Sequence, residues 1–372
     1  MHVSETKLPW ICKVVGVERI NSPELSELRI LTLPDCDNYR AQENKITDNS
    51  YSPASYWAMQ GVEIHRLGLS RKLWNPFRNS HGLYAGLDLF RALKVLLVQR
   101  NYDYIMCYFE SPAYFISIFK KFGLLRKPRL VVNEINYGSE WNLRERVVKT
   151  VLRNADVISV ITDHLAEKLL DDANFRSKVY RSGFYIAEEA FEVLETPSNS
   201  HYFLAIGDDY SRDYITLVDA IKSIHPDIKF KIKTKKKLPF ETLPGNIELI
   251  QEHFTREQLI SLYRNALAVI IPLRYVSTPG GITSVLEAFS LGKCVLISDT
   301  PALKEFLDGQ HCIKFEIGNS SQLAEKINYL WENRHICLLT GKSAREYFDG
   351  NCKKILYFKS YSNFLKKIID KT

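Results

Sequence analysis

The sequence predicts an α/β protein made of two doubly wound, Rossmann-like domains. Short β-branched and aromatic runs alternate with helical periodicities along most of the chain, the pattern of parallel sheets covered by helices. Its 372 residues suffice for two domains of ordinary size. A polar, acidic stretch containing Pro197, EEAFEVLETPSNS over residues 188–200, interrupts the rhythm midway and reads as a linker.

In the first half the strands are expected at 28–33, 62–67, 104–108, 129–135 and 157–161. Leu83, Leu87, Phe90, Leu93 and Leu97 recur at helical spacing and predict an amphipathic helix over 86–99. Residues 1–25 carry no assignable pattern. After the linker, strands are expected at 202–206, 229–233, 247–250, 268–271, 294–298 and 312–315. Thr255-Arg256-Glu257-Gln258 is a capping box, and Thr300-Pro301 places a cap before a first-turn proline. The stretch 347–371 reads as helical and basic. The expected division is an N-terminal domain over 1–190, a C-terminal domain over 200–349, and a last helix, 350–372, packing back on the first domain. Two such halves imply a cleft, with ligands outside the carboxyl ends of the strands.

Composition narrows the class. Hydrophobic residues make up 45% and charged residues 25%, enough apolar surface for two cores and too much for a disordered chain. No run of about 18 apolar residues offers a membrane span, and MHVSETKLPW lacks the layout of a secretory signal. The seven cysteines are scattered without a Cys-x-x-Cys pair, which argues against a zinc site or a disulfide framework and for a reduced, cytoplasmic protein. The net charge of +7 suits a phosphorylated ligand or an anionic membrane surface; no nucleic-acid recognition motif is present. Phe115–Phe122, with Leu124, Leu125, Arg126 and Lys127 behind it, has two readings. It is a core helix with a solvated basic end, or a patch on anionic lipid, where each cation contributes about 1 kcal/mol.

The most informative stretch is Thr278-Pro279-Gly280-Gly281-Ile282-Thr283-Ser284-Val285-Leu286-Glu287-Ala288-Phe289, between two apolar strands. Paired glycines between a strand and a helix let the backbone approach a ligand closely, and first-turn N–H groups receive a phosphate. Glu287 lies five residues past Ile282, roughly 7–8 Å along a helix, about the reach from a diphosphate to a ribose hydroxyl pair. A tight loop followed by a solvated glutamate is the plain alternative.

From about residue 200 to 335 the chain resembles the donor-binding domain of the family-4 glycosyltransferases, a GT-B group. Gly280-Gly281-x4-Leu286-Glu287-Ala288-Phe289-x2-Gly292-Lys293-x-Val295 carries the resemblance, with Gly207-x4-Arg212-Asp213-Tyr214-x2-Leu217-x2-Ala220 before it. The resemblance implies a GT-B fold, two Rossmann-like domains facing a central cleft. It gives Glu287 the donor ribose, and Gly280, Gly281, Ile282 and Thr283 the diphosphate. It gives Arg212, eight residues before Ala220, a donor phosphate, which a planar guanidinium can grip through two oxygens.

Two departures stand out. The family's usual Glu-x7-Glu pair would need a glutamate at 279, where this chain has Pro279, and its usual Gly-Arg is here Gly207-Asp208. Within the basic run Lys231, Lys233, Lys235, Lys236 and Lys237, Lys233 is a candidate replacement phosphate contact, against a solvated charged hairpin. The first domain resembles the family less: Pro34-Asp35-Cys36-Asp37-Asn38-Tyr39 stands where a glycine-rich loop is expected. Glu134, where many relatives carry a histidine facing the donor sugar, is a candidate sugar-hydroxyl or charge-stabilising group, or else a local cap.

The resemblance implies retaining transfer from a UDP- or GDP-sugar to a glycan or lipid-linked glycan acceptor, in cell-surface polysaccharide synthesis. Helix N–H groups and Arg212 stabilise the leaving diphosphate, with no metal and no cofactor beyond the donor. A mildly basic first domain adds peripheral contact at the inner face of a membrane. The alternatives are a sugar-nucleotide epimerase of the same fold and a non-catalytic binding protein. Asp35-x-Asp37 as a metal motif lies in the wrong half of the chain for this donor site.

Overall fold

The computed structural model describes residues 11–14, 28–33, 61–71, 73–75, 86–133, 142–171, 178–186, 202–276, 278–307 and 310–369. Two units divide the chain, one of residues 1–183 with 358–372, the other of residues 184–357.

The strands of the first unit are β1 (Ile11–Val14), β2 (Arg29–Leu33), β3 (Glu63–Leu67), β4 (Tyr104–Tyr108), β5 (Arg129–Asn133), β6 (Val157–Val160) and β7 (Val179–Arg181). They form one sheet in the order β1-β3-β2-β4-β5-β6-β7. Only β1 runs antiparallel, against β3. β2 to β6 begin and end within two residues of the expected bounds; β1 and β7, edge strands of four and three residues, are not among the expected strands. Glu134 lies outside the described residues.

Among the described residues these strands are accompanied by the helices α1 (Leu89–Val98), α2 (Glu110–Lys121), α3 (Asn142–Asn154) and α4 (Asp163–Leu170). Asp88 caps α1, accepting from the Arg91 N–H at 2.9 Å, and also takes the Ser70 N–H at 2.6 Å. The stripe that predicted α1 is on its outside. Ala92, Val95 and Val98 are buried, whereas Phe90, Leu93 and Leu97 are exposed. An apolar stripe normally faces the core, but α1 is apolar on both sides, and the tighter set packs inward. In α2 Ala113 and Ile116 are buried and Phe115 and Phe119 pack against the core, so the helical part of this segment is core, while Phe122 and Leu124 beyond it are exposed.

In the second unit the sheet is wholly parallel, in the order β10-β9-β8-β11-β12-β13. Its strands are β8 (Tyr202–Ile206), β9 (Lys229–Lys233), β10 (Ile247–Ile250), β11 (Ala266–Ile271), β12 (Cys294–Ser298) and β13 (Ile313–Phe315). β11 starts two residues before its expected bound, where an irregularity between Ala266 and Ala268 shifts its register on β8. The helices are α5 (Tyr214–Lys222), α6 (Arg256–Arg264), α7 (Ile282–Ser290), α8 (Lys304–Leu307), α9 (Ser320–Glu332), α10 (Arg334–Asn351) and α11 (Lys354–Ile369). Phe203, Phe230, Ile232, Leu296 and Phe315 lie in the core. α6 opens with the expected capping box: the Gln258 N–H donates to Thr255 Oγ1 at 3.3 Å, and the Thr255 N–H donates to Gln258 Oε1 at 2.8 Å. At the Thr300-Pro301 start Thr300 occupies the N-cap and Pro301 the first turn, as expected. Pro301–Leu303 is a 3-10 turn leading into α8, and the Thr300 hydroxyl makes no capping bond.

α11 carries the chain into the first unit. There the Phe364 ring stacks on Tyr180 at 4.1 Å, and the Tyr180 hydroxyl donates to the Ser360 carbonyl at 2.9 Å. In the second sheet the winding reverses between β8 and β11, so the loops leaving these two adjacent strands diverge from one end of the sheet. Ligands bind at such a switch point in open parallel sheets.

Candidate functional site

The chain leaves β8 through Gly207, at φ 140°, and runs to Asp213. Asp213 caps α5, accepting from the Thr216 N–H at 3.2 Å and the Thr216 hydroxyl at 2.7 Å. Arg212 forms an isolated β-bridge with Leu273, just past β11, and the Arg274 N–H donates to the Ser211 carbonyl at 2.8 Å. The two switch-point loops are thus tied to each other by main chain.

This tie places Arg212 inside the protein, 2% exposed. Its Nη2 donates to Ser284 Oγ in the first turn of α7 at 2.8 Å, and its Nε lies 3.1 Å from Asp209 Oδ2. Nη1 is buried with no hydrogen-bond partner. Two glycines make the room: a Cβ at Gly207 or at Gly281 would collide with the guanidinium, and both have positive φ. A buried charge with an unused donor is costly in a folded chain, and an anion is the partner that satisfies it.

α7 starts beside this group. Its N-cap is Gly281, at φ 83° and without a side chain to cap the helix, so first-turn donors and the positive end of the dipole remain for a ligand. Ile282 is buried and Thr283 exposed. Further along α7, the Glu287 carboxylate accepts from the Tyr263 hydroxyl at 2.7 Å. Burial raises the Glu287 pKa, opposed by the Tyr263 bond and by the nearby Arg212 and Arg256 charges. Tyr263 is itself fully buried at the end of α6, and burial beside Glu287 pushes its hydroxyl well above the usual range.

Of the basic run, Lys236 approaches this loop: its ammonium donates to the Asp209 carbonyl. Burial lowers its pKa, opposed by Asp209 and reinforced by the Arg274 and Arg212 charges. Lys233 is buried at the end of β9, with its ammonium 5.4 Å from the Phe254 ring centre. Asp208, where a basic residue is usual, fastens the loop to the end of β9. Its Oδ1 accepts from the Thr234 hydroxyl at 3.0 Å and from the Lys235 N–H at 2.6 Å. Pro279 is buried in the turn before α7.

Arg212, Gly281 and Glu287 therefore come together with Ser284, Tyr263 and Asp209, which the sequence did not single out. Ser284 could have been found, since it lies in the first turn after the glycine pair; Tyr263 and Asp209 left no local signal. Clustered cations and an open helix N-terminus suit a polyanion, and a carboxylate on the same helix suits hydroxyl groups beyond it.

Residues 187–347 match the family model of glycosyl transferases group 1. No curated protein sequence matches the chain significantly. Among solved structures, sucrose-phosphate synthase from Thermosynechococcus elongatus superposes with a TM-score of 0.71 at 14% identity, over 93% of this chain and 100% of that one. A glycosyltransferase from Rickettsia africae gives 0.67 at 14% identity, over 93% and 99%. HepE of Anabaena, solved in complex with UDP-glucose, gives 0.63 at 12% identity, over 92% and 100%. The chain has the GT-B fold of these glycosyltransferases, and its residues 187–347 are similar to the glycosyl transferases group 1 family.

Proposed function

We propose that the protein transfers a sugar, with retention, from a UDP- or GDP-sugar to a glycan or lipid-linked glycan acceptor in building cell-surface polysaccharide. The observation that carries this reading is the buried Arg212 guanidinium, held against two glycines beside the start of α7, with Nη1 and Nε lacking hydrogen-bond partners and Nε only ion-paired to Asp209. In this reading the donor diphosphate completes Arg212 and takes the N–H groups of Gly281 and Thr283 at the start of α7, where the Gly280 and Ile282 N–H groups are already held by the Thr278 and Pro279 carbonyls at 2.7 and 3.4 Å. Negative charge develops on the diphosphate as the glycosidic bond breaks, and fixed donors aimed there lower the barrier. These groups do the neutralising without a metal ion or further cofactor. Glu287 accepts from the ribose hydroxyls. HepE, solved with UDP and with UDP-glucose, supports a nucleotide-sugar donor.

Pro279, in place of a sugar-facing glutamate, favours one competing reading, a binding protein without turnover. A lipid-linked acceptor places the protein peripherally at the inner face of a membrane; no described helix is long and apolar enough to cross one. The test is a thermal-shift screen against UDP, GDP and their sugars, followed by NMR of the anomeric signal with glycan acceptors. Stabilisation by one nucleotide and a product retaining the donor configuration are expected. Turnover without acceptor would make the protein an epimerase, and binding without turnover would leave only the binding reading.

A further inference from the structure

Large apolar side chains on α1 and the turn after α2 face solvent. Leu97 is 80% and Phe122 71% exposed, with Leu93 and Leu124 also exposed. Gln99 ties the end of α1 to this turn: its Nε2 donates to the Leu124 carbonyl at 2.9 Å, and its Oε1 accepts from the Arg126 N–H at 2.7 Å. Towards the start of α1 the surface continues through Phe90, whose ring packs on Trp74 at 4.7 Å. The apolar run of α2 itself packs inward, so the solvent-facing surface lies on its neighbour. An apolar surface of this kind on a soluble fold marks an interaction site.

Charge identifies the occupant. Arg100, Lys121 and Arg126 are exposed around the Leu97–Phe122 end, and none enters an ion pair among the described residues. The acidic residues nearby are already engaged: Asp88 is buried as the cap of α1, Asp103 pairs with Lys127, and Asp156 pairs with Lys120. A second copy of the same surface would set these cations against each other, whereas an anionic bilayer would take them at its headgroups and the leucines and phenylalanines below them.

We propose that the outer face of α1, with the Phe122–Lys127 turn, is the surface by which the protein rests on an anionic lipid bilayer. The assignment rests on the peripheral-membrane part of the proposed function and gives it a place on the molecule.

The experiment is flotation of the full chain with phosphatidylcholine vesicles, with and without phosphatidylglycerol. The variants are Leu97→Ser/Phe122→Ser and Lys121→Glu/Arg126→Glu, all at exposed positions, with thermal melting and nucleotide binding as controls for the fold. The parent should float only with phosphatidylglycerol, and less in high salt. Each cation near such a surface contributes about fivefold in partitioning, so the charge-reversed variant should lose roughly 25-fold or more. The serine variant should lose flotation with the phosphatidylglycerol vesicles although its cations are intact. If the variants fold and float like the parent, this surface is wrong and the membrane reading stands. If the parent floats with neither vesicle, the membrane reading fails and takes the assignment with it. A dimer in sedimentation that the serine variant splits, without flotation, would give the surface to a second copy and overturn the proposal.

Discussion

Glu287→Gln separates ligand chemistry from burial, because the amide keeps the shape of the side chain and an oxygen for the Tyr263 hydroxyl, now 2.7 Å from the carboxylate. A carboxylate can accept from both ribose hydroxyls, whereas an amide offers one oxygen and turns a donor towards the other. Bonds to a charged acceptor contribute about 1 kcal/mol more than neutral ones. Over two bonds the loss is about 2 kcal/mol, which weakens nucleotide binding roughly 30-fold. Stability moves the other way. Burial raises the Glu287 pKa in the folded state, so the folded protein holds this proton at pH values where the unfolded chain has released it. The contribution is fully present below the unfolded pKa and lost as pH rises through the folded one. At pH 7 the ionised carboxylate therefore costs stability, and the ligand-free Gln variant should melt at or above the parent. That gain should vanish as the pH falls to the ordinary carboxylate range. Calorimetric titration with UDP and GDP, and melting curves across pH 4–8, read both effects. Unchanged nucleotide affinity would refute the ribose role, and a lower melting temperature at neutral pH would refute the argument from burial.

Tyr263→Phe removes the bond that holds the Glu287 pKa down, so the acid limb of nucleotide binding should move to higher pH; an unmoved limb in titrations across pH counts against the coupling. Gly207→Ala puts a methyl group on the Arg212 guanidinium at φ 140°. Backbone strain and displacement from Ser284 should together cost about 3 kcal/mol or more in urea unfolding, with nucleotide binding lost as well. Thr255→Ala removes the α6 capping box and should cost about 1 kcal/mol in the same assay while leaving nucleotide affinity unchanged.

Much of the second unit was legible because its signals are local. β8, β9, β10 and β12 match the expected bounds residue for residue, since each is a short apolar or alternating run closed by turn residues. The glycine pair before α7 and the position of Glu287 on that helix were readable for the same reason. Arg212 was found through a family spacing, and its environment was not. Its hydrogen bond reaches Ser284, 72 residues away, and its cavity comes from Gly207 and Gly281 on different loops. The outward set of α1 misled because Phe90, Leu93 and Leu97 fit a helical period as well as Ala92, Val95 and Val98 do. Spacing along one chain determines which residues share a face. Which face is buried, and which distant side chains meet a charge there, depends on the elements packed against it, and only the tertiary structure decides that.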